Sequence, residues 1–305
     1  MSERTRLGVV GCGIMGSGIA EAAARAGCEV VVSEVDGPAL AAGRARIERS
    51  LERALERGRI GPEARDAALS RLRFSTGLGA LADRELVIEA VAEDLAVKSE
   101  VLSGLDRLLP PGAVLASNTS SIPIADLASA TTRPGSVVGM HFFNPVPVLE
   151  LVEIVPSVLT DEETVRAAEH FAAAVLGKTV VRARDRAGFV VNALLVPYLC
   201  SAIRMVEEGL ATQEDVDRAM ELGCAHPMGP LRLADLIGLD TLLAIAESLH
   251  AEHAEPHLAP PPLLRRMVSA GLLGRKSGRG FYRYEPDGPG GGGGSAGATG
   301  SRGGR

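Results

Sequence analysis

The sequence predicts an α/β protein, with a doubly wound sheet that carries a helical arm, followed by an all-α C-terminal domain. Short apolar runs alternate with helical stretches up to about residue 184, the first run ends in a glycine-rich loop, and the pattern is helical from Gly188 onward. We expect domains at 1–184, with the arm at about 38–70, and at 185–287. Residues 288–305, nearly all Gly, Ser and Ala, are expected to form a disordered tail.

Length, composition and charge exclude several classes of protein. The 305 residues favour two domains, and an apolar fraction of 46% is enough for sizeable cores. A net charge of -6 and a pI of 5.6 oppose a nucleic-acid or anionic-membrane partner. No apolar run reaches the roughly 18 residues of a membrane span. The four cysteines lack ligand-like spacing and no signal peptide is recognised, which predicts free thiols, no metal site and a cytoplasmic location.

The first motif is a glycine-rich loop. The strand Leu7 to Val10 runs into GCGIMGSG, in which Gly11, Gly13 and Gly16 stand in GxGxxG register before an Ala-rich helix. This context predicts a Rossmann-like dinucleotide site, because glycines let the backbone approach a pyrophosphate at the helix N-terminus. A tight strand-helix turn without a ligand is the alternative.

The second strand, Glu29 to Ser33, ends at Glu34, which lies 23 positions after Gly11. An acidic residue at about this distance holds the adenosine ribose in dinucleotide-binding folds. A carboxylate there would repel a 2′-phosphate, and no arginine follows at once. The sequence therefore favours NAD over NADP.

The helical arm is predicted as two antiparallel helices, Pro38 to Arg57 and Pro62 to Ser70. The first helix carries arginines at every fourth position, offset by acidic residues three positions later: Arg49, Arg53 and Arg57, with Glu52 and Glu56. This pattern fits a solvated face with local ion pairs and an anion-binding arm equally well.

Polar residues follow the next predicted strands, Leu72 to Phe74, Leu86 to Ala90 and Ala113 to Ser117. Glu93 and Asp94 come after the second of these strands, and NTSS, from Asn118 to Ser121, comes after the third. Strand ends face the ligand crevice in such sheets. Residues of these types also start helices and cap turns, so the structural explanation stays open.

His141 follows the apolar run Val137 to Met140, which is typical of a buried parallel strand. A lone histidine in an apolar setting is more often a core residue than a catalytic one. Glu150 and Glu153 follow on the next strand, and either carboxylate could hold the imidazole and stabilise its charged form. Strand alternation does not choose between them.

The C-terminal half is predicted to be helical. The first helix runs from Gly188 to Gly209 and carries Asn192 on its apolar side, as a core amide or a cleft residue. Thr212 is expected to cap the next helix, HPMGP to break the chain, and LRLADLIGLDTLLAIAESL to form one long helix. Such apolar helices suggest packing between domains or subunits.

Together, NTSS, HFFNPV, LVEIV, GFVVN, HPMGP, IGLD and GRKSGRGFY resemble the L-3-hydroxyacyl-CoA dehydrogenase family over about residues 5–285, and most closely its short bacterial 3-hydroxybutyryl-CoA members. The resemblance implies NAD-dependent oxidation of a short (S)-3-hydroxyacyl-CoA, the reverse reduction, and a homodimer.

It also implies roles for single residues. His141 would take the proton from the substrate hydroxyl, Glu153 rather than Glu150 would be its partner, and Ser120 and Asn192 would hold the substrate oxygen and the imidazole. CoA would contact Ser50, Ser120 and Arg57, the last standing where relatives often carry Lys. The implied cofactor contacts are Gly11, Gly13, Ile14, Met15, Gly16, Glu34, Glu93, Lys98, Ser120, Asn144 and Lys276.

Two positions depart from the family pattern: Glu34 stands where Asp is usual, and Ala193 where Arg is common. Other substrates also fit the same machinery, namely an acyl-carrier-protein thioester or a free hydroxy or sugar acid, as in the family's gulonate dehydrogenases. A non-catalytic NAD-binding relative, as among lens crystallins, is opposed by the joint presence of His141, Glu153, Ser120 and Asn192. The 6-phosphogluconate type of dehydrogenase uses a lysine base, which HFFNP does not fit.

Overall fold

The computed structural model describes residues 5–284, so the predicted tail at 288–305 lies outside the described residues. The chain divides into two compact units. The first contains the residues up to 196 together with 247–259, and the second contains 197–246 together with the residues from 260 onward. The fold class predicted from the sequence is confirmed.

The first unit is built on one eight-stranded sheet in the order β3-β2-β1-β4-β5-β6-β7-β8. All neighbouring strands pair in parallel except β6 and β7, which are antiparallel. The strands are β1 Arg6–Val10, β2 Glu29–Ser33, β3 Leu72–Ser75, β4 Leu86–Glu89, β5 Val114–Ser117, β6 Val137–Phe142, β7 Leu151–Val155 and β8 Thr179–Arg182. Strands β1, β4, β5 and β6 are almost wholly buried, as their continuous apolar runs predict.

Six α-helices among the described residues of the first unit accompany the sheet: α1 Ile14–Arg25, α2 Gly37–Glu56, α3 Pro62–Ser70, α4 Leu95–Leu108, α5 Ile124–Ser129 and α6 Glu162–His170. Aspartate side chains cap two of them, since Asp36 accepts the N–H of Ala39 and Asp94 accepts that of Val97. The predicted helix to Leu176 changes at Phe171 into one π-helical turn, Phe171–Val175.

The predicted arm is present as α2 and α3, which both pack on α1. One expectation about it was wrong. Glu52 was expected to pair with an arginine of α2, but its carboxylate forms an ion pair with Arg65 of α3 at 2.9 Å, since the two helices bring these side chains together. The arm is thus joined across its two helices by an ion pair.

The loops after β1 and β4 touch where the strand order reverses. A Cβ on Gly11, whose φ is +87°, would lie 2.6 Å from the carbonyl oxygen of Ala90, and one on Gly16 would lie 1.9 Å from that of Gly11. Both positions therefore require glycine for packing. A Cβ on Gly13 would meet nothing within 4 Å, so this glycine borders open space.

Within residues 5–284, five α-helices follow the sheet: α7 Val191–Glu207, α8 Gln213–Gly223, α9 Pro230–Ile237, α10 Leu239–His253 and α11 Pro262–Ser269. Thr212 caps α8 as expected, by accepting the N–H of Asp215. The prediction of a single long helix after HPMGP was wrong. The structure has two helices, α9 and α10, which are separated by Gly238 with a φ of 102°. A residue in this conformation cannot continue a right-handed helix.

The C-terminal GRKSGRGFY segment is fastened to α9 in the second unit by Asp235, which is 1% exposed. Its carboxylate accepts the N–H groups of Phe281 and Tyr282 and the hydroxyl of Tyr284. Burial raises the pKa of Asp235, and these hydrogen bonds offset only part of that effect. The aromatic residues of the motif therefore have a structural use within this unit.

Candidate active site

His141 and Glu153 form a hydrogen-bonded pair at the centre of the antiparallel ladder. They are direct cross-strand partners in β6 and β7, which places their side chains on one face of the sheet. Nδ1 of His141 lies 2.7 Å from Oε2 of Glu153. The strand was expected to end before His141, but β6 continues to Phe142 because it pairs with β7. Glu150 is exposed and lies outside this pair.

The second oxygen of Glu153 is also occupied. Oε1 accepts the N–H groups of Val190 and Val191 at 3.0 and 2.9 Å, where the chain enters α7. The turn before them has left-handed backbone at Gly188 (φ 74°) and Phe189 (φ 49°). Both amides donate, so Oε1 acts only as an acceptor. An ionised carboxylate only accepts, so Nδ1 of His141 is the donor and Nε2 carries the lone pair.

Aromatic rings surround the imidazole. The rings of Phe143 and Phe189 meet it edge to face, with centroids 4.5 and 5.5 Å away. His141 is only 6% exposed, and Glu153 is fully buried. Low polarity strengthens the attraction between this carboxylate and a protonated imidazole. Nε2 has no hydrogen-bond partner within residues 5–284.

Glu93 organises the NTSS loop. Its Oε1 accepts the hydroxyl of Thr119 at 2.6 Å and the N–H groups of Ser120 and Ser121 at 2.9 and 3.1 Å. Partial burial opposes the charged form, but Lys98 and these hydrogen bonds outweigh it, so the pKa of Glu93 lies below its usual range. The sequence left open whether Glu93 and Asp94 start a helix or line the site. Asp94 caps α4, whereas Glu93 binds the NTSS loop.

Behind Glu93 lies a buried ion pair that sequence reasoning missed. Glu89, fully buried at the end of β4, accepts from Nζ of Lys98, from the hydroxyl of Ser117 and from the N–H of Val91, each at 2.7 Å. Lys98 is 1% exposed and also reaches Oε2 of Glu93 at 3.2 Å. The available signal was an acidic residue inside the apolar run LVIEA, which must be paired if buried.

The glycine-rich loop fits a dinucleotide. The N–H of Cys12 donates to Oε1 of Glu34 at 2.5 Å, so the carboxylate at the end of β2 lies directly at the loop. Open space borders Gly13, and 61% of Ile14 is exposed at the start of α1. Backbone amides at a helix start beside open space can receive a pyrophosphate, and the carboxylate can accept ribose hydroxyls.

The other predicted site residues are placed as follows. Ser50 is half-buried on α2, and its hydroxyl bonds to Glu21, whose pKa is raised by burial despite that bond. Arg57 is exposed at the end of α2, and Asn144 is exposed after β6. Asn192 is half-buried in the first turn of α7. Lys276, in the second unit, pairs with Asp240 at 2.6 Å.

One hydrogen bond joins the NTSS loop to the histidine strand. The side-chain oxygen of Asn118 accepts the N–H of Phe142 at 3.0 Å, one residue after His141. Within the described chain, no hydrogen bond joins Ser120 or Asn192 to His141. The same residues offer no group of three His, Cys, Asp or Glu arranged for a metal ion, and none of their helices is long and apolar enough to cross a bilayer.

Comparisons with known proteins agree on one family. The NAD binding domain of 3-hydroxyacyl-CoA dehydrogenase matches residues 6–186, and the C-terminal domain of the same family matches residues 188–284. A 3-hydroxybutyryl-CoA dehydrogenase of Mycobacterium tuberculosis is 62% identical over 280 residues, which are 92% of this chain and 98% of that protein.

Solved structures give the same result. The crystal structure of M. tuberculosis FadB2 has a TM-score of 0.92 and 61% identity, covering 93% of this chain and 100% of that one. The (S)-3-hydroxybutyryl-CoA dehydrogenase PaaH1 from Ralstonia eutropha has a TM-score of 0.87 and 42% identity, with coverage of 93% and 100%.

Proposed function

The chain belongs to the 3-hydroxyacyl-CoA dehydrogenase family, and on this premise we propose that it interconverts (S)-3-hydroxybutyryl-CoA and acetoacetyl-CoA with NAD. The substrate is supported by the names of its relatives. The observation that carries the proposed chemistry is the buried His141–Glu153 pair, whose imidazole keeps one nitrogen without a partner in the described chain.

Nε2 of His141 is the proposed base. Because Glu153 accepts the proton on Nδ1, the lone pair of the neutral imidazole is on Nε2, where it can take the proton of the 3-hydroxyl. In the reverse direction the same nitrogen returns the proton to the 3-oxo oxygen. When bound, NAD supplies the acceptor for the hydride that leaves C3.

Glu153 has two proposed tasks. It fixes the tautomer and the plane of the imidazole, and its charge stabilises the imidazolium that forms when Nε2 takes the proton. Its bonds to Val190 and Val191 keep the carboxylate from rotating away from the ring. The amides at the start of α7 therefore keep the Glu153 carboxylate in a fixed position beside Nδ1 of His141.

Ser120 and Asn192 are proposed to hold the substrate oxygen and the imidazole. Support for Ser120 comes from Glu93, which fixes its backbone N–H at 2.9 Å. Asn192 follows directly after Val191, whose N–H is bound to Glu153. We propose that Lys98 acts at the cofactor through Glu93, because its ammonium is buried against two carboxylates.

The cofactor is proposed to lie along the loops after β1, β2 and β4. Gly13, Ile14 and Met15 offer their amides to the pyrophosphate, and Glu34 accepts ribose hydroxyls. Asn144 and Lys276 remain predicted cofactor contacts. For CoA, we propose Arg57 as a phosphate contact at the exposed end of α2, with Ser50 about two turns before it.

Domains, assembly and location are part of the proposal. Residues 1–184 would bind the cofactor, and 185–287 would bind substrate and form a homodimer. Exposed Leu210, Leu222 and Met205 in the second unit, at 68, 76 and 43% exposure, support a protein–protein surface there. Light scattering after gel filtration would test the dimer. The free thiols support the cytoplasmic location.

The decisive experiment follows NADH oxidation with acetoacetyl-CoA, with free acetoacetate, and with an acetoacetyl thioester of acyl carrier protein. We expect fast turnover with the CoA ester only. Turnover with the free acid or the carrier thioester alone would replace the proposed substrate. Absence of turnover with all three, while NADH still binds, would contradict the enzyme activity itself.

A second experiment tests CoA recognition. Arg57→Glu should raise KM for acetoacetyl-CoA and leave KM for NADH unchanged, because the exposed guanidinium would contact only the CoA phosphates. Arg49→Glu on the same helix is the matched control for charge reversal. Equal increases of KM for acetoacetyl-CoA in the two variants would indicate a general effect of the charge of α2 on CoA binding rather than a contact at Arg57.

A further inference from the structure

Arg46 of α2 reaches into the glycine-rich loop, and the proposed mechanism does not use it. Its Nη1 donates to the carbonyl oxygen of Cys12 at 2.7 Å and lies 3.3 Å from the hydroxyl oxygen of Ser17. That hydroxyl also donates to the Cys12 carbonyl, at 3.1 Å. The carbonyl is therefore held by two donors from two different helices.

Helix α2 is pressed directly against this loop. A Cβ added to Gly43, one turn before Arg46, would lie 2.5 Å from Cβ of Cys12 and 2.9 Å from its carbonyl oxygen. The close approach made possible by Gly43 brings the guanidinium within reach of the loop. The peptide group before Cys12 donates its N–H to the carboxylate of Glu34, and the peptide group after Cys12 accepts from the guanidinium of Arg46. Side chains of opposite charge therefore hold the two peptide groups.

The contact also sets the direction of the next amide. A trans peptide group is planar, so its C=O and N–H point in opposite directions. With the Cys12 carbonyl held toward α2, the N–H of Gly13 points away from α2. A Cβ on Gly13 would meet nothing within 4 Å, which leaves room for a ligand beside this residue.

We infer that Arg46 is a positioning residue for the cofactor, which orients the Cys12–Gly13 peptide so that the loop amides face the pyrophosphate. The inference rests on the NAD site of the proposed function and adds a residue that makes no base or ribose contact. Loss of Arg46 leaves the carbonyl to Ser17 alone, whose hydroxyl is shared with the carbonyl of Gly13. The loop would then sample other peptide orientations, and diphosphate ligands would bind more weakly.

The test measures binding without the acyl substrate. Dissociation constants for NADH, by fluorescence, and for ADP, by calorimetry, are compared for the wild type, Arg46→Met, Arg46→Lys and Arg44→Met. Arg44 is the matched control, since it lies on the same helix with the same charge but pairs with Glu48 at 2.8 Å. Arg46→Met should weaken both ligands about tenfold, as expected when one charge-assisted hydrogen bond is lost.

Arg46→Lys keeps a donor and the charge and should recover most of the affinity. Arg44→Met should bind as the wild type does. With saturating NADH, Arg46→Met should keep the wild-type kcat, because the bound cofactor is in its normal position. If Arg46→Met does not fold, Arg46→Lys carries the test, with about a threefold loss expected because an ammonium on a flexible side chain is held less firmly at the Cys12 carbonyl than the planar guanidinium is.

Several results would overturn the inference. Unchanged affinity for NADH and ADP in a folded Arg46→Met variant would show that the loop needs no such contact. Equal losses in Arg46→Met and Arg44→Met would show a general charge effect. Failure of the wild type to turn over acetoacetyl-CoA, with NADH bound normally, would contradict the proposed function and leave this inference intact.

Discussion

Two buried carboxylates in the first unit, Glu153 and Glu89, have similar partners and different uses. Each is fully buried and contacts a basic side chain at 2.7 Å, and each carboxylate accepts backbone hydrogen bonds, one at Glu89 and two at Glu153. Their basic partners differ. His141 keeps a ring nitrogen without a partner in the described chain, whereas the ammonium of Lys98 donates to Glu89 and to the carbonyl of Val91 and forms an ion pair with Glu93.

Because of this difference, His141 can accept and return a proton, whereas Lys98 can only stabilise the local structure. A base must present a lone pair to the substrate, and His141 can do so because Glu153 occupies only the other nitrogen. Lys98 has no lone pair while it is protonated, and its ion pair with Glu93 helps to fix the carboxylate that holds the NTSS loop. Substitutions at the two pairs should therefore change different quantities, turnover at the first and stability at the second.

The largest effect is expected at His141. His141→Ala should lower kcat between about a hundredfold and ten-thousandfold, the usual value of acid–base help, while NADH binding stays unchanged. Steady-state kinetics and NADH fluorescence would measure both. His170→Ala, an exposed histidine on α6, is the control. A His141→Ala variant with normal kcat would remove the histidine from the proposed mechanism.

The next effect concerns the choice of carboxylate. Glu153→Gln should lower kcat about a hundredfold, because a neutral amide neither stabilises the imidazolium nor accepts from Nδ1 as strongly. Glu150→Gln should have normal kcat, since Glu150 is exposed and outside the pair. Kinetics of the two variants side by side are the measurement. The reverse pattern would assign the partner role to Glu150.

At the second pair the effect should fall on stability. Glu89→Gln leaves Lys98 buried opposite a neutral group, which should cost about 3–5 kcal/mol of unfolding free energy. We expect kcat to change much less than in Glu153→Gln. Urea denaturation measures the first quantity, and Glu85→Gln, which removes an exposed pair with Arg6, should cost under about 1 kcal/mol. Equal costs for the two variants would contradict the distinction.

Glu93 allows a smaller effect to be measured through pH. Its pKa is lowered in the folded protein, so its ionisation stabilises the fold above the ordinary carboxyl pKa of about 4.3, and this contribution is lost as the pH falls through the folded pKa. The difference in unfolding free energy between wild type and Glu93→Gln should therefore be largest near neutral pH and shrink in acid. A difference independent of pH would show that the charge of Glu93 is not what holds the loop.

The smallest expected effect concerns the thiols. Burial raises the pKa of Cys12, Cys28 and Cys200 to about 11, while Cys224 is exposed. The native protein should titrate one thiol rapidly with a disulfide reagent and all four cysteines after denaturation. Rapid reaction of Cys12 would mean that the glycine-rich loop opens far more than the structure indicates.

Much of this architecture could be predicted from local patterns. Strand and helix positions followed from periodicity and caps, and Glu34 followed from its distance to Gly11. Residues joined only by tertiary structure were less accessible. The alternation of side chains along the strand could not decide whether Glu150 or Glu153 contacts His141, because that depends on how β6 pairs with β7. Arg46 lies in an ordinary helix pattern, and its partners Cys12 and Ser17 are distant in sequence. Glu89 is marked only as an acidic residue inside an apolar run, which does not identify Lys98 as its partner.

The break at Gly238 shows a similar limit. An apolar pattern that continues across a glycine predicts one helix, and only the backbone conformation of Gly238 reveals two. The roles assigned to the site residues stay predictions, whereas the contact between His141 and Glu153 and the position of Glu93 at the NTSS loop are features of the structure.

The antiparallel ladder has a consequence for protein engineering. His141 and Glu153 meet because they are opposite each other in β6 and β7, so the connection between the strands, residues 143–150, does not itself create the pair. Lengthening that connection would have a small entropic cost, about 0.6 kcal/mol for each doubling of its length, as long as Phe143 and Asn144 keep their places. A slip of one residue in the ladder would instead turn the carboxylate to the opposite face of the sheet. Grafting this pair onto another antiparallel sheet would therefore require copying the register rather than the loop.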